Sequence, residues 1–315
     1  MYDVVIIGAG AAGLSAALYA ARRSLRTLVL TKNLGGQTAT TLGIENYPGV
    51  PQAEGPALMD TFRQQAELFG AQLIYDPVAQ VKRDGDQFIV IGESGKSYPG
   101  RALILAFGKV PRHLQVPGEQ EFANKGVVYC ATCDAPLFAG KDVAVVGGGS
   151  AAVDAALLLF KIANRVYLLH RRGDLKAEEV LVKRLQRESK IELMLNSIVT
   201  AIQGEDFVSQ IIVENLTTKE SNSLSVQGVF VEIGYEVKAD FLTSLVKLNR
   251  ASEIIIDSFN RTSTLGVFAA GDVTTVPFKQ TIISAGEGAK AALSAYNYLN
   301  DIPVGTAIED HNRSS

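Results

Sequence analysis

The chain opens with a run of apolar residues that changes into helical spacing. Residues 4–7 are consecutive apolar positions, and the glycine-rich turn 8–13 follows them directly. Apolar side chains then recur at the spacing of one helix face, at Leu14, Ala17, Leu18 and Ala21. A second apolar run occupies residues 27–30. This order predicts a buried strand, a tight turn, a helix and a second, parallel strand.

The same pattern returns further along the chain without a gap. Residues 143–146 are apolar, residues 147–152 form a second glycine-rich turn, a helix is predicted after it, and residues 166–169 form the next apolar run. Two such units predict an α/β fold with two Rossmann-like nucleotide-binding domains in one chain.

Proline and glycine mark two places where the chain is predicted to cross between these domains. Short β-like runs separated by turns fill residues 78–107. Pro111 and the segment 117–119 follow, where proline prevents a helix or a strand ladder from continuing. A second crossing is predicted within residues 234–240.

Both glycine-rich turns have the pattern that holds the pyrophosphate of a dinucleotide. Glycine lets the backbone approach the phosphates, and the helix that begins at the turn points its free N–H groups at them. The first turn offers Gly8, Gly10, Ala11 and Gly13. The second offers Gly147, Gly149, Ser150 and Ala151, with Ala152 in place of the third glycine. A simple tight turn is the alternative, but two copies in matched register favour nucleotide binding.

Basic residues follow the second strand of the second copy and favour NADP over NAD. An NAD site normally places a carboxylate here for the ribose hydroxyl, whereas a 2′-phosphate favours arginine. The sequence supplies His170, Arg171, Arg172 and, further on, Lys176. A solvated basic strand end is the alternative. The first copy has no acidic residue between Asp3 and Glu45, so its ribose partner stays unassigned.

An acidic residue late in the chain supports the hypothesis that the first of the two repeated units binds a long dinucleotide. Residues 264–272 are predicted as a buried strand that ends at Asp272, where a carboxyl group can hydrogen-bond the ribityl or phosphate end of FAD. A helix is predicted over residues 280–299, and its N-terminus suits a flavin ring that gains negative charge on reduction. The alternatives are a turn-forming Asp272 and glycines, Gly286 and Gly288, that only permit close helix packing.

The chain has two cysteines, Cys130 and Cys133, separated by two residues. This spacing is typical of dithiols that cycle between a disulfide and the reduced pair. Structural zinc needs four ligands, and the chain adds only three scattered histidines, so we favour no metal site. Inert buried thiols are a second alternative. Asp134 follows directly and can either protonate a leaving thiolate or cap a helix opened by Pro136.

Composition excludes several protein classes. Of 315 residues, 47% are hydrophobic and 20% charged, as in globular proteins of about two domains. The formal net charge of −3 provides no basic excess for nucleic acid. No apolar run approaches the roughly 20 residues that cross a bilayer, and the first residues lack a signal peptide's basic region. We therefore expect a soluble, cytoplasmic protein with no membrane segment and a mobile polar tail over residues 310–315.

Taken together, these motifs resemble the low-molecular-weight thioredoxin reductases over essentially the full chain. The segments that carry the resemblance are 8–13, Gly35-Gly36-Gln37, 45–49, 130–134, 147–152, 170–172, 266–273 and 280–286. The resemblance implies a homodimer with FAD and NADPH as cofactors. It also implies an FAD domain in two segments, residues 1–112 and 238–315, and an inserted NADPH domain, residues 113–237, that carries the disulfide.

The resemblance further implies the path of the electrons and several residue roles. Electrons pass from NADPH to FAD, then to the disulfide, and finally to a thioredoxin-like protein. That partner is expected to be a separate protein, since the chain begins directly at the first strand. Cys133 is expected nearer the flavin, Cys130 exchanges with the partner, and Asp134 acts as the acid. The residues that the resemblance adds to the FAD site are Gly36, Gln37, Asn46, Gly271, Lys279 and Gln280.

Several positions depart from the family pattern. Phe107 stands where the family has threonine, and Glu236-Val237-Lys238 replaces a Pro-Asn pair. Lys176 and Lys279 replace arginines, which keeps the charge but loses the bidentate fork, and Ala135-Pro136 replaces a Gly-aromatic pair. These departures keep open a second hypothesis, in which the donor is ferredoxin or another reduced carrier. Two further hypotheses are a non-catalytic redox sensor that holds FAD and a dithiol oxidase acting on a small metabolite.

Overall fold

The computed structural model describes residues 1–40, 44–242 and 245–303, so the tail expected to be mobile, residues 310–315, lies outside the described residues. The chain forms two compact units. Unit 1 comprises Met1–Val110 and Val237–Ser315, and unit 2 comprises Pro111–Glu236. The chain thus leaves unit 1 just before the proline that marks the first predicted crossing.

Strands outnumber α-helices in the part of the chain that the structure describes. The strands are β1 Tyr2–Ala9, β2 Thr27–Leu34, β3 Gln72–Tyr75, β4 Val78–Asp84, β5 Gln87–Gly92, β6 Ser97–Leu105, β7 Val110–Pro111, β8 Val127–Val128, β9 Asp142–Val146, β10 Arg165–Leu169, β11 Ile191–Met194, β12 Ser197–Gly204, β13 Val208–Asn215, β14 Ser221–Ser225, β15 Gly228–Val231, β16 Tyr235–Glu236 and β17 Val267–Ala269. The α-helices are α1 Ala11–Arg22, α2 Gly55–Leu68, α3 Ala131–Asp134, α4 Ser150–Leu159, α5 Glu179–Leu185 and α6 Thr281–Leu299. Over the described residues, no helix has the length and apolar character that crossing a bilayer requires.

Unit 1 is built on a mostly parallel sheet. Its strand order is β3, β2, β1, β6, β5, β4, with β17 also paired to β6. Strand β1 pairs in parallel with β2 and β6, whereas β4, β5 and β6 run antiparallel. Val4 and Ile6 belong to one buried cluster and Val5 and Ile7 to another, because both faces of β1 are covered. Parallel strands end at a common edge, and the first glycine-rich turn lies there.

Helices α1 and α6 pack together through small side chains. Both contribute alanines to one buried cluster, which includes Ala16, Ala17, Ala20, Ala291, Ala292 and Ala295. The backbones approach closely at Gly288, where a Cβ atom would lie 2.0 Å from the carbonyl oxygen of Ala12. This contact fixes the start of α1 and therefore the glycine-rich turn before it.

Unit 2 repeats the strand, turn, helix and strand order of unit 1. Its parallel sheet has the order β11, β10, β9, β15, β8, and β12, β13 and β14 form a separate antiparallel sheet. Helix α4 links β9 to β10, as the repeated apolar pattern predicts. Val143, Val145, Leu168 and Phe230 are fully buried in the cluster beneath this helix.

One strand is shorter than the apolar pattern predicts. The pattern extends over residues 264–272, but β17 covers Val267–Ala269 alone. Gly266 has φ +81° and Gly271 has φ +76°, conformations that interrupt an extended strand at both ends. Gly271–Val273 then forms a 3₁₀ turn, which carries Asp272. The helix predicted over residues 280–299 is α6, with Gln280 as its N-cap residue.

Candidate functional site

The first glycine-rich turn contains two positions where the fold requires glycine and one that leaves open space. Gly8 has φ +108°, and a Cβ atom on it would lie 2.4 Å from the carbonyl oxygen of Ala106. A Cβ atom on Gly13 would lie 1.8 Å from the carbonyl oxygen of Gly8. On Gly10 it would come no closer than 3.8 Å to described atoms outside the turn. Gly10 is the N-cap residue of α1 and Ala11 its first residue, so this space adjoins unpaired helix N–H groups.

A second loop, containing Gly35, Gly36 and Gln37, lies beside this turn. Gly35 and Gly36 have φ values of +84° and +53°, and a Cβ atom on Gly36 would lie 3.7 Å from the Cα atom of Gly10. The side-chain amide of Gln37 donates a hydrogen bond of 2.5 Å to the carbonyl oxygen of Lys109. The structure therefore places Gly36 next to Gly10 and anchors the loop to the segment that follows β6.

Residues from distant parts of unit 1 meet at the N-terminus of α6. The side-chain amide of Asn46 donates to Oε1 of Gln280 at 3.2 Å. The hydroxyl oxygens of Thr38 and Thr281 are 3.1 Å apart. The first turn of this 19-residue helix carries partial positive charge. Asn46 and Gln280, which the family resemblance adds to the site, are thus in direct contact.

Asp272 lies in the 3₁₀ turn after β17. A Cβ atom on the preceding Gly271 would lie 2.9 Å from the Cβ atom of Ala12, so the turn contacts the start of α1. The hydroxyl of Ser284 in α6 donates to Oδ1 of Asp272 at 3.1 Å. Burial raises the pKa of Asp272 above its usual range, and the Ser284 hydrogen bond and the Lys279 charge oppose this rise. The turn that carries Asp272 therefore lies beside the starts of α1 and α6.

Two lysines share one carboxylate in unit 1. Oε1 of Glu253 lies 2.5 Å from Nζ of Lys109 and 3.5 Å from Nζ of Lys279, which also donates to the carbonyl oxygen of Thr274 at 2.6 Å. Burial and the Lys109 charge lower the pKa of Lys279. The charges of Glu253 and Asp272 oppose this change, and the pKa is lowered overall. Lys109 and Glu253 are absent from the predicted site. They are 144 positions apart, and no local pattern connects them.

The second glycine-rich turn also contains two closely packed glycines and one that leaves open space. A Cβ atom on Gly147 would lie 2.3 Å from the carbonyl oxygen of Glu232, and one on Gly148 would lie 2.1 Å from Nδ1 of His170. Gly149 is the N-cap residue of α4, which begins at Ser150, and no described atom outside its own neighbours lies within 4 Å of a Cβ built there. This turn therefore offers its open space at Gly149, at the start of a helix.

Two of the predicted basic residues, His170 and Lys176, lie against this second turn. The N–H of Lys176 donates to the carbonyl oxygen of Gly148 at 2.7 Å, and the side chains of Arg171 and Arg172 are exposed. Nε2 of His170 is buried and has no hydrogen-bond partner among the described residues. Burial and the nearby Arg172 charge lower the pKa of His170, so its ring is neutral at pH 7. An unpartnered nitrogen, exposed cations and an open helix start fit a phosphorylated nucleotide.

Ser150 and Ala151 begin α4 directly after the open position. Oγ of Ser150 accepts a hydrogen bond of 3.3 Å from the N–H of Glu178. The segment that carries Lys176 is therefore held to both the turn and the first helical residue.

The two cysteines form a disulfide with a Cα–Cα distance of 5.4 Å. Cys130 is the N-cap residue of α3, and the N–H of Asp134 donates to its carbonyl oxygen at 3.1 Å. Both cysteines are half-buried, whereas Asp134 is 5% exposed. The dithiol and the predicted acid therefore lie on one helical turn of unit 2.

Glu232 is a site residue that the sequence did not indicate. Its Oε1 atom accepts a hydrogen bond of 3.2 Å from the N–H of Ala131, the residue after Cys130. Burial raises the pKa of Glu232 to about 7, and the Ala131 hydrogen bond opposes this rise. The two residues are 101 positions apart, so only the folded chain shows the contact.

The chain matches known proteins over nearly its whole length. The family model described as pyridine nucleotide-disulphide oxidoreductase matches residues 2–292. The thioredoxin reductase of Peptoclostridium acidaminophilum is 39% identical over 307 residues, which cover 95% of this chain and 97% of that protein. The crystal structure of thioredoxin reductase from Streptococcus pyogenes MGAS5005 superimposes with a TM-score of 0.88 at 38% identity, covering 96% of this chain and 99% of that one.

Other relatives are longer than this chain. The bifunctional thioredoxin reductase/thioredoxin of Mycobacterium leprae is 40% identical over 302 residues, which cover 95% of this chain and 66% of that protein. Further curated relatives, among them two proteins named NADH dehydrogenase, are matched over about three fifths of their length.

These matches confirm the predicted α/β fold class and the predicted family resemblance. Membership in this family implies FAD and NADPH as cofactors, and the Cys130–Cys133 disulfide fits the redox-active pair of such enzymes. Because the family model covers residues 2–292, the structure matches closely and the two cysteines form a disulfide, the chain belongs to the pyridine nucleotide-disulphide oxidoreductases.

Proposed function

We propose that the protein is a thioredoxin reductase that passes electrons from NADPH, through FAD and the Cys130–Cys133 disulfide, to a thioredoxin-like protein. The observation that carries this proposal is the disulfide at the start of α3, in the same unit as a glycine turn that lies against His170, the residue before Arg171 and Arg172. A dithiol beside a site for a phosphorylated nucleotide supports a reductase over an inert pair of thiols.

FAD is assigned to unit 1. Gly8 and Gly13 shape the turn, and the space at Gly10 leaves room for a pyrophosphate at the start of α1. The N-terminus of α6, together with Lys109 and Lys279, supplies positive charge for a flavin that becomes anionic on reduction. When bound, FAD supplies the two-electron carrier between nicotinamide and disulfide. The proposed FAD residues are Gly8, Gly10, Ala11, Gly13, Gly36, Gln37, Asn46, Gly271, Asp272, Lys279 and Gln280.

NADPH is assigned to unit 2. The space at Gly149 adjoins the first N–H groups of α4, which suit the pyrophosphate. The exposed guanidinium groups and Lys176 suit the 2′-phosphate, which a carboxylate would repel. The proposed NADPH residues are Gly147, Gly149, Ser150, Ala151, His170, Arg171, Arg172 and Lys176.

The thiols carry out the exchange with the partner protein. The Cys130 thiolate attacks the partner's disulfide, which forms a mixed disulfide and releases one partner thiolate. Asp134 donates a proton to that thiolate. The Cys133 thiolate then attacks Cys130 in the mixed disulfide, which releases the reduced partner and closes the Cys130–Cys133 disulfide again.

The test compares the two single serine variants during turnover. Cys130→Ser and Cys133→Ser should each abolish NADPH-dependent reduction of a thioredoxin, measured by the loss of nicotinamide absorbance. Anaerobic addition of NADPH should still bleach the flavin in both variants, since that step precedes the dithiol. A Cys130→Ser protein that reduces thioredoxin at the wild-type rate would exclude this assignment.

A second candidate function keeps the flavin and dithiol but uses ferredoxin or another reduced carrier as the donor. Lysine at positions 176 and 279 supports it, because lysine lacks the fork with which arginine binds a phosphate. Anaerobic titration with NADPH and NADH in parallel separates the two. Flavin that stays oxidised at millimolar NADPH but is reduced by ferredoxin would favour the second donor.

We further propose that the enzyme acts as a homodimer in the cytoplasm, without a membrane anchor. The family resemblance and the disulfide partner class support this assembly and location. Light scattering of the flavin-loaded protein tests the dimer, and fractionation of cells tests the location.

A further inference from the structure

Glu232 connects the second glycine-rich turn to the disulfide within unit 2. Its N–H donates to the carbonyl oxygen of Val146 at 2.8 Å, and its own carbonyl oxygen lies 2.3 Å from the place where a Cβ atom on Gly147 would be. Its side chain accepts the hydrogen bond from Ala131, whose peptide lies directly after Cys130. The backbone of Glu232 is therefore fixed on one side while its carboxyl group contacts the dithiol helix on the other.

Reduction changes the charge beside this carboxyl group. The disulfide is neutral, and two electrons convert it into two thiolates unless protons are taken up. A carboxylate and a thiolate held close together in a partly buried site repel each other, which favours protonation of one of them. Under the proposed function the electrons come from NADPH, but dithiothreitol supplies the same pair without it.

The carboxyl group of Glu232 can bind a proton near neutral pH. Burial raises its pKa to about 7, opposed by the Ala131 hydrogen bond. The titratable groups on the helix that Glu232 contacts are Cys130, Cys133 and Asp134, and His170 lies against Gly148, the residue after the glycine on which Glu232 packs. A negative charge on either thiol would move the proton equilibrium of Glu232 further toward the neutral acid.

We propose that Glu232 is a positioning residue that takes up a proton when the Cys130–Cys133 disulfide is reduced. The disulfide gains two electrons, its S–S bond breaks, and one of the protons that accompany them binds to the Glu232 carboxylate. The neutral carboxyl group no longer repels the Cys130 thiolate. When the disulfide closes again, Glu232 releases this proton to solvent.

Glu232→Gln tests this role because glutamine keeps an oxygen that can accept the Ala131 hydrogen bond but cannot take up a proton. The flavin-loaded protein is equilibrated with dithiothreitol at several pH values, and alkylated thiols are counted by mass spectrometry. The equilibrium constant for disulfide reduction is compared as the ratio of wild type to Glu232→Gln. This ratio should fall about five- to tenfold between about pH 6 and about pH 8. Glu220→Gln, an exposed change in the same unit, should follow the wild type.

A measurement on wild-type protein covers the case in which Glu232→Gln does not fold. The reduced-minus-oxidised infrared difference spectrum should gain a protonated carboxyl band near neutral pH. That band should persist in Glu220→Gln. Its absence from the wild type, or parallel pH profiles for the wild type and Glu232→Gln, would overturn the proposal. Neither experiment uses NADPH or thioredoxin, so a negative result leaves the proposed function to its own test.

Discussion

Replacing Gly288 by alanine should separate helices α1 and α6. A Cβ atom at this position would lie 2.0 Å from the carbonyl oxygen of Ala12, 2.8 Å from its carbonyl carbon and 3.0 Å from its Cα atom. All three are backbone atoms, so no side chain can rotate away. Ordinary contact begins at about 3.4 Å, and the helices must therefore move apart by about 1.4 Å.

The expected loss follows from two opposing effects. Overpacking of a well-packed interface costs about 1–3 kcal/mol, and the rigid backbone here places the cost at about 3–4 kcal/mol. Alanine recovers about 1 kcal/mol because it forms helices better than glycine. A net loss of about 2–3 kcal/mol corresponds to a fall of about 4–12 °C in the melting temperature of a unit of this size.

Gly286→Ala is the matched control on the same helix. No described atom outside its own neighbourhood lies within 4 Å of a Cβ built there. This variant should gain about 1 kcal/mol and melt slightly above the wild type. Circular dichroism gives the melting temperatures, and flavin absorbance after gel filtration should show weaker FAD retention in Gly288→Ala, because Ala12 lies in the first turn of α1. Equal melting temperatures for the two variants would refute the helix contact as described.

Three further predictions concern ligands and charge. Gly149→Ala should keep the fold, with a loss of at most about 1 kcal/mol in cap stability, but raise the NADPH Kd at least about tenfold in calorimetry, because the methyl group fills the open helix start. Arg172→Gln should weaken NADPH binding by about ten- to a hundredfold and leave NADH binding unchanged, since each charge-assisted hydrogen bond contributes about 1.5–3 kcal/mol. Burial raises the pKa of Glu253, but hydrogen bonds from Lys109 and Asn249 outweigh it and lower the pKa overall. Glu253→Gln should therefore lower the free energy of unfolding, measured in urea at pH 7, by about 2 kcal/mol. This difference from the wild type is present above the unfolded pKa of about 4.3, and it disappears as the pH falls through the lower pKa of the folded protein.

The elements that the sequence predicted well are those set by neighbouring residues. The pattern of a continuous apolar run, glycines and helical spacing lies within about 30 consecutive positions. The structure has β1 and α1, and likewise β9 and α4, where this pattern predicts them. The strand expected over residues 264–272 is shorter than predicted because of the backbone conformation of two of its residues. Its glycines at positions 266 and 271 adopt positive φ, and an apolar pattern does not report backbone handedness.

The parts of the site that the sequence missed depend on contacts between distant segments. Glu232 reaches Ala131 across 101 positions, and Glu253 reaches Lys109 across 144. Each is an ordinary acidic residue in its own stretch of chain, without a motif around it. Folding gives each carboxyl group its role by burying it beside a specific donor, and a single sequence contains no record of that pairing.

The two glycine-rich turns show how similar motifs can rest on different backbones. In the first, Gly8 has φ +108° and its carbonyl oxygen lies 1.8 Å from the place where a Cβ atom on Gly13 would be. In the second, the φ of Gly147 lies outside the left-handed region, and Ala152 carries its Cβ atom in the corresponding position while fully buried. Alanine is therefore compatible with the third position of the second turn but not of the first. The middle positions behave alike, since both Gly10 and Gly149 leave open space at a helix start, so the ligand and not the fold should require glycine there.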